Sequence, residues 1–133
     1  MFALLAMALV FTPGVPENVD VVEANWNAYP RLETRALAVP NGAMVTRVQR
    51  MMQQGECSFE GQRARRFSID INYAVMLDGQ GNATRIVVED IGCRPLELMV
   101  GRIAADIVTG GHVRTAPPAA PAFYASRINF NLS

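Results

Sequence analysis

The sequence predicts a small α+β domain with a ββαβ core: a three-stranded, mainly antiparallel sheet packed on a helix, with one or two extra helices before it. Three observations predict it. Apolar and polar residues alternate from Phe67 to Leu77 and again from Ala83 to Asp90, on either side of Asp78-Gly79-Gln80-Gly81-Asn82, whose residues tolerate a chain reversal. A 3.6-residue apolar period follows Pro95. Alternation then returns beyond Pro121 and continues to the C-terminus. At 133 residues the chain has the length of one domain.

Residues 1–11 form an unbroken apolar run ended by Thr12-Pro13-Gly14. A helix that crosses a bilayer needs about twenty residues, so no stable membrane span is expected. The run has the length of the apolar centre of a secretory signal peptide, and residues 1–14 are read as one. A short buried helix or strand and an uncleaved anchor are the other readings. Residues 15–66 are expected to be a helical extension. Val19, Val22, Trp26 and Tyr29 fit one helical face before Pro30, and Asn41 caps a second helix striped by Met44, Val45, Val48, Met51 and Met52 up to Gly55. Methionines at that spacing are read as core packing.

In the remaining domain, residues 67–133, the hairpin places Ile86 and Val88 on one face of its second strand and Arg85, Val87 and Glu89 on the other. Pro95 and Glu97 suit the first turn of the next helix. Leu96, Met99, Val100, Ile103 and Ile107 form its buried stripe, and Gly110-Gly111 stops it. Residues 115–121 contain three prolines and read as an extended connection. In the last strand Tyr124, Ser126, Ile128, Phe130 and Leu132 alternate with Phe123, Ala125, Arg127, Asn129 and Asn131.

Composition narrows function. Twelve Arg, with no Lys, balance twelve Asp and Glu, so no excess positive charge exists to displace counterions from nucleic acid or to hold a polybasic membrane contact. Half the residues are hydrophobic, which argues against disorder. Cys57 and Cys93 are the only cysteines, and behind an export signal they are expected to pair. Two buried free thiols are the alternative. No Cys-x-x-Cys occurs and His112 is the lone histidine, so neither a metal site nor a cofactor is expected.

The same scarcity of histidine leaves a Ser-His-Asp triad without support, and no catalytic residue is assigned. Arg63, Arg65 and Arg66 could grip an anion, but Glu56 and Glu60 lie close enough in sequence to neutralise them. What remains is recognition. A small sheet whose last strand ends the chain leaves an edge open to a further strand.

The stretch from Tyr73 through Asp78-Gly79-Gln80-Gly81-Asn82 to Asp90, then Gly92-Cys93-Arg94-Pro95-Leu96-Glu97, and finally Ile128-Asn129-Phe130-Asn131-Leu132, resembles the C-terminal domain of TonB-type energy transducers. The likeness covers residues 67–133. It implies a periplasmic, non-catalytic protein whose edge strand, Phe123 to Leu132, pairs through its backbone with a segment near the N-terminus of an outer-membrane receptor, linking it to transport across that membrane. Such an edge could instead pair with a second copy of the chain. A small secreted enzyme or inhibitor on a generic ββαβ frame is the competing reading.

Overall fold

The computed structural model describes residues 19–35, 41–57 and 68–131. The leader at 1–14, the Arg63, Arg65 and Arg66 cluster, Phe67 and Leu132 lie outside the described residues. The fold is α+β. Its strands are β1 (Val19–Val22), β2 (Ser68–Leu77), β3 (Ala83–Glu89) and β4 (Ala122–Asn131), and its helices are α1 (Gly42–Gln53) and α2 (Arg94–Thr109).

Among the described residues the sheet has four strands in the order β1-β3-β2-β4, where the sequence predicts three. β2 is antiparallel to both β3 and β4, while β1 runs parallel to β3 with Val19 opposite Ile86. The helix expected over Val19 to Tyr29 is therefore replaced by a strand and a single 3-10 turn at Trp26–Ala28. Val19-Asp20-Val21-Val22 is β-branched at three of four positions, which favours a strand once a sheet edge is there to receive it. Asp20 secures the register by accepting from Arg85 Nη2 at 2.9 Å, an exposed pair that contributes little energy by itself.

The hairpin between β2 and β3 turns where its sequence predicts. Asp78 accepts from the backbone N–H of Asn82 and of Gln80, both at 2.9 Å, and these bonds hold its carboxyl below the ordinary aspartate range. Gly81 takes the positive φ of 82° that the turn requires.

One face of the sheet carries Ile71, Tyr73, Val75, Ile86, Val88 and Ile128, all buried against Leu96, Val100 and Ala104 of α2. α1 adds Val48 and Met51 to the same core. The opposite face is built from small side chains, Ala74, Val87 and Ala125, covered by Val22, Trp26, Tyr29 and Phe123. Both faces are thus occupied, although Val87 reads as an outward residue in an alternating strand.

Cys57 and Cys93 form a disulfide with their Cα atoms 5.1 Å apart, joining the chain just past α1 to the N-cap of α2. The bond meets the expectation drawn from the cysteine count. Beside it, Glu97 is only 2% exposed, yet its Oε2 accepts from the backbone N–H of Ile91 at 2.8 Å, Gly92 at 3.0 Å and Cys93 at 3.4 Å. A carboxylate at this end of a helix also faces the positive end of its dipole. Among the described residues no helix is long and apolar enough to cross a membrane.

Candidate functional site: the outer edge of β4

β4 is a ten-residue edge strand whose register against β2 is continuous, from Ala122 opposite Leu77 to Asn131 opposite Ser68. In an antiparallel ladder, alternate residues direct both backbone groups away from the partner strand. Ala125 is one of these, since its N–H donates to Pro30 O at 2.9 Å and its C=O accepts from Leu32 N at 2.8 Å. Arg127 and Asn129 follow at the same phase, so their N–H and C=O groups also point outward. No described residue bonds to them.

The edge therefore has two parts. Its first half is capped by Pro30 to Leu32, which runs parallel to β4 with Arg31 opposite Ala125. Proline favours extended backbone before it and supplies an acceptor with no competing N–H, which suits a short capping segment. Leu32 anchors it at 2% exposure. The chain then leaves β4 and Thr34 bridges Val113. The second half of the edge, from Arg127 onward, continues past the point where the cap departs.

A cleft of about 230 Å³ adjoins the junction, bordered by Trp26, Tyr29, Arg31, Asn72 and Arg127. Trp26 and Tyr29 stack edge to face with ring centroids 6.0 Å apart, and Tyr29 leans on Phe123 at 5.6 Å. Asn72 is fixed by Glu89, whose Oε1 accepts from its backbone N–H and its Nδ2, each at 3.0 Å. Farther along, Asn129 Nδ2 donates to Ser68 Oγ and Asp70 Oδ1, both at 2.8 Å. These side-chain bonds occupy the sheet face and leave the outward backbone untouched.

The ten residues Phe123 to Leu132 read as an edge from the sequence are thus separated by the structure. Tyr124, Ser126, Ile128 and Phe130 turn toward the helical side, with Ile128 and Phe130 fully buried. Ser126 meets Tyr73 across the ladder, and burial raises the Tyr73 phenol above its ordinary value while the Ser126 hydroxyl partly opposes that rise. Phe123, Ala125, Arg127, Asn129 and Asn131 lie on the other face, and Leu132 is outside the described residues.

Sequence reading missed the Pro30 to Leu32 cap. Its one local signal is a lone apolar Leu32 between Arg31 and Glu33 just after a proline, a pattern of extended chain. His112 lies exposed in the loop after α2, where its C=O accepts from Arg35 N at 2.6 Å. Among the described residues no three His, Cys, Asp or Glu side chains gather as metal ligands. Comparison with protein-family models, with curated proteins and with solved structures returns no match.

Proposed function

We propose that this chain is a non-catalytic, TonB C-terminal-like binding module of the periplasm that receives an extended partner segment as a fifth strand beside β4. The supporting observation is the half-capped edge: Pro30 and Leu32 satisfy Ala125, and the outward groups of Arg127 and Asn129 continue the same row without a partner among the described residues. Strand addition draws its affinity from such main-chain groups and its selectivity from neighbouring side-chain pockets. The Trp26 and Tyr29 cleft supplies one pocket, with Arg31 and Arg127 at its rim favouring an acidic or carbonyl-rich segment. The resemblance over residues 67–133 suggests the partner class, the N-terminal region of an outer-membrane receptor.

Asn129→Pro tests this directly. Its N–H faces outward, so proline there removes a donor from the free edge without removing a backbone bond to β2, although the side-chain bonds to Ser68 and Asp70 are lost with the amide. Capture of an outer-membrane receptor from an envelope extract by the native chain, lost by the folded Asn129→Pro variant, is the expected result. Equal capture by both would overturn the reading. Sedimentation of the chain alone separates partner capture from pairing with a second copy.

A further inference from the structure

Away from β4, the N-terminal ends of the two helices enclose a second cleft of about 740 Å³. Arg47 of α1 and Arg94 and Arg102 of α2 border it, all three exposed, and none of their guanidinium groups makes an ion pair or hydrogen bond with a described residue. Leu98 lies between Arg94 and Arg102 on the same face of α2, and Met44 and Met99 complete the apolar lining. At 1.5 Å per residue, the two α2 arginines sit about 12 Å apart along the axis with Leu98 midway. Leu98 is 49% exposed, and it is the one large apolar side chain exposed among the described residues.

The electrostatics have one sign. No acidic residue borders the cleft. The nearest carboxylate in sequence, Glu97, is buried and holds the loop before α2. Asn41 and Ala43 of one helix start and Arg94 and Pro95 of the other also border it, so both helix dipoles present their positive ends there. Across the whole chain Arg is balanced by acid, yet at this place it is not.

We infer that this cleft binds an anionic single-chain amphiphile, an alkyl chain bearing a carboxylate or phosphate. Guanidinium groups are matched to those head groups in geometry as well as charge. Met44, Met99 and Leu98 offer a flexible, unbranched or γ-branched floor that can close around an alkyl chain. The volume lies within the roughly 300–1,000 Å³ of small-molecule sites. The bordering side chains donate hydrogen bonds far more than they accept, which fits a head group made of acceptors better than an extended peptide, whose N–H groups would go unmatched. The site stands apart from β4 and does not depend on strand addition.

The test uses the full chain, labelled with 15N, titrated separately with dodecanoate, dodecyl phosphate, dodecyl maltoside, dodecyltrimethylammonium and inorganic phosphate, each detergent below its micellar concentration. Dodecanoate and dodecyl phosphate should shift the amides of Ala43 to Arg47 and Leu96 to Arg102 saturably, and the other three should bind at least tenfold more weakly. Arg94→Gln with Arg102→Gln should weaken the anionic amphiphiles at least tenfold, and Leu98→Asn should do so with every arginine kept, each variant retaining its circular dichroism. Equal binding of the neutral or cationic detergent would reduce the cleft to a plain apolar surface, and equal binding of inorganic phosphate would reduce it to a simple anion site. Absence of shifts at these amides, or shifts obtained only with an acidic amphipathic peptide or with anionic vesicles, would also overturn the inference.

Discussion

A Cβ built on Gly101 would stand 2.7 Å from both γ-carbons of Val19 and 3.1 Å from its Cβ, so α2 and β1 touch where the helix has no side chain. This contact explains how a four-residue parallel strand is held on the sheet edge. Gly101→Ala should press β1 outward, because the branched Val19 has no rotamer that withdraws its own Cβ. Overpacking of this kind costs about 1–3 kcal/mol. Urea unfolding should show that loss, and Val19→Ala should recover part of it in the double variant. Independent, additive effects would contradict direct contact.

Glu97 is expected to be more sensitive than any exposed carboxylate. Three backbone donors converge on Oε2, and of these Gly92 N–H alone has a second acceptor, Asp90 Oδ1 at 3.1 Å. Leaving a buried donor unsatisfied costs about 1–3 kcal/mol. Glu97→Ala should therefore lower stability by about 2–3 kcal/mol, with Glu97→Gln losing less because its amide oxygen still accepts. Thermal melts of the two variants give the order, and equal losses would mean that the acceptor is not what matters.

The disulfide closes a loop with a sequence separation of 36 residues. Chain-entropy reasoning assigns it about 4 kcal/mol, a large share of a small domain's stability. Replacing both cysteines by serine should shift the urea midpoint accordingly, and the native protein unfolded without reductant should show no titratable thiol. Two thiols in that assay would exclude the bond. The variant should also loosen the 740 Å³ cleft, since the bond ties the chain beyond α1 to the start of α2, which borders it.

What the sequence made legible was local. The β2 and β3 hairpin, α2 and β4 each carry their own period, and Asp78 to Asn82 and Gly110-Gly111 mark their ends within a few residues. The cysteine pair could be read because the chain offers only one pairing. β1 could not, since Val19 to Val22 is too short to show a period and Asp20 meets Arg85 65 residues later. The Pro30 to Leu32 cap is hidden for the same reason, its partner Ala125 being distant in sequence. The arginine cleft is more hidden still: Arg47 and Arg94 border one space only because the tertiary fold brings the starts of two helices to it.

Tyr73 supplies a pH dependence whose sign follows from its surroundings. Burial holds its phenol neutral to higher pH than in the unfolded chain, where tyrosine ionises near pH 10. A folded pKa above the unfolded one means that the stabilisation is complete below about pH 10 and is lost as pH rises through the folded value. Tyr73→Phe should cost about 1 kcal/mol at pH 7 through the missing bond to Ser126. Above pH 10 the variant should lose stability less steeply than the native chain, so the two urea midpoints converge. Parallel decline of both would show that ionisation of Tyr73 does not contribute to alkaline unfolding.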